Sequence, residues 1–357
     1  MAVFESPAFE GHESVHFRHD PETGLRAIIA VHSTIMGPAA GGCRMWKYDN
    51  EADAIADALN LSRGMSYKNV MADLPLGGGK AVVIGDSRKD KSGELFQAFG
   101  RFVDSLGGRY ITAEDVGVNE ADMSAVARAT RYVSGLPKKD EGDAAGGDPS
   151  PKTARGVFLG IRAAVRHALD RKDLDGVSVA VQGLGGVGLH LCRELHEAGA
   201  KLLVADIHAD RVERAVDEFG ARAVDVETIL LQEADVVAPC ALGGILTVDR
   251  VDALQTKIVA GGANNQLRTA DAGERLHARG ILYAPDYVIN AGGIINVAAE
   301  YLASMSEREV IEKLDGIADR LAEIFEQSAN SDTPTYVVAD RMARDRLREA
   351  AKARDAD

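Results

Sequence analysis

Residues 176–206 have the sequence GVSVAVQGLGGVGLHLCRELHEAGAKLLVAD, which carries the strongest structural signal in the chain. An apolar strand pattern is followed by Gly-x-Gly-x-x-Gly, by a helical pattern, and by a second apolar strand that ends at Asp206. This order is typical of a unit that binds a dinucleotide, with the pyrophosphate at the helix N-terminus. The glycine pattern alone would be weak evidence in a chain with 37 glycines. Here, however, the strand pattern before it and the helix pattern after it both agree with a dinucleotide-binding unit.

The residues of this turn have separate predicted roles. Gly183 permits the tight turn, Gly185 lets a pyrophosphate approach the backbone, and Gly188 lets the helix pack on the strand. Asp206 is placed to accept hydrogen bonds from the adenosine ribose and to repel a 2′-phosphate, which predicts NAD rather than NADP. Arg211 could instead partner such a phosphate. The predicted cofactor contacts in this region are Gly183, Leu184, Gly185, Gly186, Val187, Gly188, Asp206 and Ile207.

The rest of the chain indicates a two-domain α/β protein. At 357 residues it is longer than one typical domain. Strand and helix patterns alternate around the glycine turn, which predicts a doubly wound, mostly parallel sheet of the Rossmann type over residues 150–330. We expect an α/β catalytic domain over 1–140 that begins with a β-hairpin at 15–31. A Gly/Pro-rich linker is expected at 136–151, and C-terminal helices over 331–357 should return to the first domain across a cleft.

Composition narrows the classes of function. The formal charge of −14 argues against a nucleic-acid-binding surface. We find no apolar run of about 18 residues and no signal peptide, so we expect a cytoplasmic protein that does not contact membranes. The three cysteines lack metal-ligand spacing, and their odd number suits a reducing compartment. We expect His12, His16 and His19 to lie on the surface, and we predict no metal site.

A second glycine cluster, LPLGGGKAVVI at residues 74–84, marks the first domain. Three successive glycines allow a ligand or another backbone to approach closely. A phosphate-binding P-loop is excluded, because Ala81 follows Lys80 where that motif needs a hydroxyl side chain. Lys80 at the mouth of an apolar strand would be partly desolvated, which suits a lysine that acts as a base. Lys68 could stay protonated and pair with a substrate carboxylate, and Asp115 follows in a separate turn.

Taken together, these motifs and several others resemble the leucine, phenylalanine and valine dehydrogenases, which are relatives of glutamate dehydrogenase. The match runs in order through nearly the whole chain and is more specific than any single motif. The segments that carry it are MGPAAGGCRMW (36–46), LSRGMSYKN (61–69), DLPLGGGKAVVIGD (73–86), GRYITAEDVG (108–117), GLGGVG (183–188), CALGG (240–244), GGANNQL (261–267) and DYVINAGGIINVA (286–298).

The resemblance implies oxidative deamination of an L-amino acid to a 2-oxo acid and ammonium, with hydride transfer to NAD. By motif match, Lys80 would be the general base that activates water, and Asp115 would accept from the substrate amino group and shuttle its proton. Lys68 would hold the substrate carboxylate, helped by the backbone of Gly41 and Gly42. The resemblance adds further contacts from Asn264 or Asn265 to the substrate, and contacts to the nicotinamide half of the cofactor from Thr153, Ala238, Pro239, Cys240, Ala241 and Asn264. It also implies a homo-oligomer built from dimers, up to an octamer.

The same resemblance implies a side-chain pocket without charge. Its candidate residues are Ala40, Met65, Ala113, Ile294 and Val297. An uncharged pocket excludes glutamate as the preferred substrate, because its side-chain carboxylate would be buried unpaired. Ala40 enlarges the pocket and is similar to some phenylalanine dehydrogenases, whereas Ala113 and Ile294 take space that a ring would use. We predict a branched-chain substrate such as leucine or valine, with phenylalanine or another aromatic amino acid as the alternative.

Two other classes of protein compete with this interpretation. A shikimate- or methylene-tetrahydrofolate-type oxidoreductase would share the two-domain plan, but the pairing of Lys68 and Lys80 with the glycine cluster argues against it. A catalytically silent NAD-binding sensor would keep the turn at 183–188 and lose the first-domain residues. All of those residues are present, so the enzyme is the favoured hypothesis.

Overall fold

The computed structural model describes residues 3–136, 148–302 and 305–356, and the chain divides into two compact units. The first unit comprises Met1–Gly147, Val297–Glu307 and Ala343–Asp357. The second unit comprises Asp148–Asn296 and Arg308–Met342. Most of the predicted linker lies outside the described residues.

The first unit is an α/β fold with a mixed sheet. Its strands are β1 (Ser14–Asp20), β2 (Leu25–Ser33), β3 (Ala39–Ala40), β4 (Cys43–Trp46), β5 (Gly77–Ile84) and β6 (Tyr110–Ile111). Its helices include α1 (Glu51–Met71), α2 (Gly93–Asp104) and α3 (Glu120–Val126). The strand order is β1-β2-β5-β3-β6, with β4 also paired to β5. The first two strands form the predicted antiparallel hairpin, whereas β3 and β4 run parallel to β5.

Helices cover both faces of this sheet. The side chain of Asn50 accepts a hydrogen bond from the backbone N–H of Asp53 at 3.0 Å and so caps the N-terminus of α1. Leu59 of α1 shares a core with Ile28 on one face of the sheet. Phe99 of α2 belongs to the core on the other face. The central strand β5 is therefore buried on both sides.

The second unit is a doubly wound sheet, as predicted. Its strands are β7 (Ser178–Gln182), β8 (Lys201–Ala205), β9 (Arg222–Ala223), β10 (Val236–Pro239), β11 (Ile258–Val259) and β12 (Leu282–Tyr283). Its helices are α4 (Ser150–Leu169), α5 (Gly186–Glu197), α6 (Ala209–Phe219), α7 (Val248–Ala253), α8 (Ala270–Ala278) and α9 (Asp286–Ile289). All strand pairs are parallel in the order β9-β8-β7-β10-β11-β12. The order of the strands reverses between β7 and β10, because β8 and β9 follow on one side and β11 and β12 on the other. Sheets of this kind bind their ligands at such a point.

The last three helices correct the expected domain limits. They are α10 (Gly292–Leu302), α11 (Glu307–Ser331) and α12 (Thr335–Ala356). We expected the second domain to end at residue 330, but it continues to Met342, and Val297–Glu307 already belongs to the first unit. The reason is that the start of α12 packs on the second unit, where the Thr335 hydroxyl donates to the carbonyl of Tyr283 at 2.7 Å and the Tyr287 hydroxyl donates to Asp340 Oδ1 at 3.0 Å.

Two kinds of feature are absent from the described residues. Within residues 3–136, 148–302 and 305–356, no helix is long and apolar enough to cross a membrane. The same ranges contain no group of three His, Cys, Asp or Glu side chains that could hold a metal ion. Cys43, Cys192 and Cys240 are free thiols.

The expectation of surface histidines is wrong for His12. This residue is buried because the segment before β1 packs on α1, where His12 Nε2 contacts Ser62 Oγ at 3.1 Å. Its ring lies 4.9 Å from the ring of His32, centroid to centroid. His32 in turn contacts Ser66 Oγ through Nδ1 at 2.7 Å. The two histidines thus form part of the packing between the N-terminal segment and α1.

This cluster predicts a loss of stability in acid. Burial, with the nearby charges of His12 and Arg63, lowers the pKa of His32 to about 4 from an ordinary 6.5. Above 6.5 the ring is neutral in both the folded and the unfolded chain. As the pH falls from 6.5 towards 4, the unfolded chain binds a proton that the folded chain does not, so the free energy of unfolding falls by up to about 3 kcal/mol.

Thermal melting of the wild type and of His32→Gln across that pH range checks this prediction. The variant is expected to lose less stability in acid than the wild type. Equal losses in the two proteins would show that His32 does not carry the effect.

Candidate active site

Glycines bring α1 onto the start of β5 in the first unit. A Cβ atom on Gly78 would lie 2.1 Å from the backbone nitrogen of Ser66 in α1, so helix and strand touch backbone to backbone. The close approach predicted for the glycine cluster is therefore made by the protein itself. Lys68 lies in the last turn of α1 and is half-buried.

A break between β3 and β4 lies beside this crossing. A Cβ atom on Gly41 would lie only 1.8 Å from the carbonyl oxygen of Gly79. The N–H of Gly41 donates to the carbonyl of Ile111 at 3.2 Å, and its carbonyl accepts from the buried Tyr110 hydroxyl at 2.6 Å. The resemblance implied that the backbone of both glycines helps to hold the substrate carboxylate, and a backbone does so through free N–H groups. The N–H of Gly41 is already used in its bond to Ile111, whereas the N–H of Gly42 donates to no backbone carbonyl among the described residues.

Lys80 and Asp115 meet at this break, although they come from different elements. Lys80 Nζ lies 2.9 Å from Asp115 Oδ2, and the two side chains are 6% and 26% exposed. Arg44 Nε contacts the same oxygen at 3.1 Å. Burial would raise the pKa of Asp115, but the charges of Lys80 and Arg44 outweigh it and hold that pKa below its ordinary value. Asp115 is therefore an ionised, partly buried carboxylate.

Several pocket candidates surround the same break. Met65 Cγ would lie 3.1 Å from a Cβ atom on Gly41, and Ala40 is buried on β3. The carbonyl of Ala113 accepts from Cys43 N at 2.8 Å. Val297 belongs to the same unit, whereas Ile294, Asn264 and Asn265 belong to the second unit.

The glycine turn of the second unit has the geometry of a dinucleotide site. Gly183 has a φ of +92°, and a Cβ atom there would lie 2.7 Å from Ala241 Cβ. A Cβ atom on Gly188 would lie 1.9 Å from the carbonyl oxygen of Gly183, so α5 packs tightly on the turn. By contrast, beyond its chain neighbours no described residue comes within 4 Å of a Cβ built on Gly185, at the N-terminus of α5. This open space beside free helix N–H groups fits a pyrophosphate.

Asp206 also holds the turn in place. Its Oδ2 accepts from Leu184 N at 2.6 Å and its Oδ1 accepts from His208 N at 2.9 Å. Its side chain is 7% exposed, with Arg211 Nη1 at 3.8 Å. Each carboxylate oxygen can accept a further hydrogen bond, so the ribose contact predicted for Asp206 remains compatible with these bonds. The neighbouring Ile207 is strongly exposed.

Most of the residues predicted to meet the nicotinamide lie at or after the ends of β10 and β11. Cys240 N donates to the carbonyl of Gln182 at 2.7 Å, which fixes the turn after β10. Thr153 lies in the first turn of α4, where its hydroxyl donates to Pro149. Asn290 Nδ2 donates to Asn264 Oδ1 at 2.8 Å, while the buried Oδ1 of Asn290 meets no donor among the described residues. That unmet acceptor suits a bound amide.

Comparison with known proteins agrees with this geometry. The model of the Glu/Leu/Phe/Val dehydrogenase dimerisation domain matches residues 12–132, and the model of the glutamate/leucine/phenylalanine/valine dehydrogenases matches residues 205–355. The chain belongs to the Glu/Leu/Phe/Val dehydrogenase family. The resemblance inferred from the sequence motifs is thereby confirmed.

Individual members of this family match over nearly their full length. Leucine dehydrogenase of Geobacillus stearothermophilus is 51% identical over 354 residues, covering 99% of this chain and 95% of that protein. Phenylalanine dehydrogenase of Bacillus thermotolerans is 45% identical, covering 96% of this chain and 90% of that protein. The crystal structure of L-tryptophan dehydrogenase from Nostoc punctiforme superposes with a TM-score of 0.85 at 44% identity, covering 96% and 97% of the two chains.

Two polar residues of this amino-acid dehydrogenase were not expected at its site. Arg44 reaches Asp115 from β4, and Asn290 reaches Asn264 from the end of α9. Both lie inside segments quoted for the resemblance, so the signal was present. For Arg44, that signal was a charged residue between the apolar residues Cys43 and Met45. Both of these neighbours are buried in β4.

Proposed function

We propose that this enzyme catalyses the NAD-dependent oxidative deamination of an apolar L-amino acid, and the reverse reductive amination. L-Amino acid, NAD⁺ and water become 2-oxo acid, ammonium, NADH and a proton. The buried contact between Lys80 and Asp115, 2.9 Å long and placed beside Gly42, carries this proposal. A base and an ionised carboxylate side by side are what the hydrolytic and amine-handling steps need.

The first unit supplies the groups that act on the substrate. Lys68 binds the substrate carboxylate, with the N–H of Gly42 as a second donor. Asp115 accepts a hydrogen bond from the amino group and passes its proton on. Lys80 takes a proton from the water that attacks the imino acid, and returns it in the reverse direction.

The second unit supplies the cofactor site. Its fit to a dinucleotide is supported by the open space at Gly185, the helix N-terminus behind it, and Asp206 at the end of β8. When bound, NAD provides the acceptor for the hydride that leaves the substrate Cα. We assign to Thr153 and Asn290 the role of orienting the nicotinamide amide.

The preference for NAD over NADP is tested at Asp206. Asp206→Asn keeps an oxygen for the N–H of Leu184 but removes the charge that meets the ribose and repels a 2′-phosphate. We expect NADH to bind about 10-fold more weakly, since a hydrogen bond to a charged group contributes about 1.5–3 kcal/mol, and NADPH to bind no worse. Fluorescence titration with both cofactors measures the ratio, and an unchanged ratio would remove Asp206 from the selectivity.

A branched-chain substrate is the best-supported choice. The candidate pocket residues are apolar, and the leucine dehydrogenase of G. stearothermophilus is 51% identical over nearly the full length. An apolar pocket distinguishes substrates by about 1–3 kcal/mol per methylene, so neighbouring aliphatic amino acids should also react. We also propose that the enzyme works in the cytoplasm as a homo-oligomer, which its free thiols and the family's dimerisation domain support.

Oxidation of NADH in the presence of ammonium and a panel of 2-oxo acids tests the function. We expect the highest kcat/KM with 4-methyl-2-oxopentanoate or 3-methyl-2-oxobutanoate, a lower value with phenylpyruvate, and none with 2-oxoglutarate. A maximum at phenylpyruvate would assign the aromatic alternative. If none of these 2-oxo acids reacts but the protein still binds NADH, the result would favour the catalytically silent NAD-binding sensor.

A further inference from the structure

Arg44 lies between two carboxylates of the first unit. Its Nε contacts Asp115 Oδ2 at 3.1 Å, and its Nη1 contacts the two oxygens of Asp57 at 2.9 and 3.2 Å. A guanidinium is planar and presents its donors in fixed directions, so contacts on two of its edges determine its orientation. Arg44 cannot turn away from Asp115 without giving up its contacts with Asp57.

Asp57 is itself held from the other side. The hydroxyl of Tyr48 donates to Asp57 Oδ2. Burial, together with the hydrogen bond to Asp57, raises the pKa of Tyr48, so the phenol keeps its proton and remains a donor. A continuous chain of polar contacts therefore runs from Tyr48 through Asp57 and Arg44 to Asp115.

This series of polar contacts leaves one carboxylate oxygen of Asp115 for the substrate. Lys80 and Arg44 both contact Oδ2, and no described residue forms an ion pair or hydrogen bond with Oδ1. Lys80 must exchange a proton during the reaction, so its charge is not constant. Burial would lower the pKa of Arg44, but the charges of Asp115 and Asp57 outweigh it and raise that pKa. Arg44 therefore keeps its positive charge beside Asp115 throughout the reaction.

We infer that Arg44 is a positioning residue of the reaction, which keeps Asp115 ionised and its Oδ1 directed at the substrate amino group while Lys80 exchanges its proton. The inference rests on the proposed function, because it gives Asp115 the amino group as its partner. Arg44 acts through Asp115 and does not touch the substrate.

The surroundings of Arg44 allow a direct test by chemical rescue. A surface cavity of about 530 Å³ is lined by Arg44, Trp46, Tyr48 and Asp57, among others. The Arg44 side chain is 21% exposed. Removing it in Arg44→Ala would extend this cavity to Asp115, and a guanidinium ion from solution could then enter and occupy the same place between the two carboxylates.

We expect Arg44→Ala to lower kcat/KM for reductive amination on the order of 10²-fold, since a small displacement of a reacting group has that effect. Guanidinium chloride at millimolar concentration should restore much of the loss. Urea has the same shape without the charge and should restore none. A role in folding alone predicts no rescue or equal rescue by both compounds, and either result in a folded variant overturns the inference.

Arg63→Ala is the matched control. Arg63 also lies in the first unit, is 29% exposed and forms an ion pair with Glu10 at 3.1 Å. Its replacement should leave kcat/KM unchanged and insensitive to guanidinium. A response as large as that of Arg44→Ala would mean that guanidinium acts elsewhere, and the inference would fall.

A second variant covers the case in which Arg44→Ala does not fold. Arg44→Met with Asp57→Asn removes both charges and leaves no unpaired carboxylate at position 57. We expect it to fold and to lose activity, whereas Asp57→Asn alone should lose less. Full activity of the double variant overturns the inference.

The activity of the wild type separates this inference from the proposed function. If the wild type aminates no 2-oxo acid, the proposed function falls as well. If the wild type is active, only the role of Arg44 is in question.

Discussion

Lys80→Ala is expected to lower kcat/KM for reductive amination by about 10²- to 10⁴-fold, the usual contribution of a general base. The affinity for NADH should stay the same, because Lys80 belongs to the first unit and the glycine turn to the second. The fold should also survive, since Arg44 remains as a partner for Asp115. Steady-state kinetics and NADH titration of the same preparation measure both quantities.

Lys91→Ala provides the control for this prediction. Lys91 also pairs with a carboxylate of the first unit, Asp122, but neither residue contacts Asp115. This variant should keep wild-type kinetics. Full activity of a folded Lys80→Ala protein would remove Lys80 from the mechanism.

Gly185→Val is expected to produce the second large effect, a loss of NADH binding by a folded protein. Gly185 has a φ of −71° and a ψ of −164°, which a valine can adopt, and beyond its chain neighbours no described residue comes within 4 Å of its Cβ position. The added side chain therefore fills the space proposed for the pyrophosphate. Crowding of this kind costs about 1–3 kcal/mol, so we expect roughly 10- to 100-fold weaker binding of NADH.

Gly316→Ala separates this effect from the general effect of losing a glycine. Gly316 lies in α11, and its Cβ position is also open. Alanine favours helix over glycine, so this variant should be slightly more stable and should bind NADH like the wild type. Wild-type affinity in Gly185→Val would show that the cofactor does not pass over this turn.

Features with local signals were predictable from the sequence. Asn50 caps α1 through its own side chain, and the turn at 183–188 is flanked by its strand and helix, so neighbouring residues determine both. The strand β5 starts at Gly77 and therefore includes all three glycines of the cluster. Glycine has a low strand propensity, and here tertiary contact with α1 overrides it.

Features that depend on packing between distant segments were not predictable. The sequence around His12 contains no pattern that predicts its burial, because the burial depends on how the N-terminal segment packs on α1. The role of Arg44 was missed because its partners, Asp57 and Asp115, come from other elements. Lys80 and Asp115 were paired only through the family resemblance, and the structure then placed them in contact.

Product analysis of the wild-type reaction tests the central claim most directly. The enzyme is incubated with NADH, ammonium and 4-methyl-2-oxopentanoate, and the products are separated by chiral chromatography. We predict that L-leucine forms in an amount equal to the NADH oxidised, and that no NADH is oxidised when ammonium is left out. Oxidation of NADH without ammonium, with a 2-hydroxy acid as the product, would contradict the proposed function.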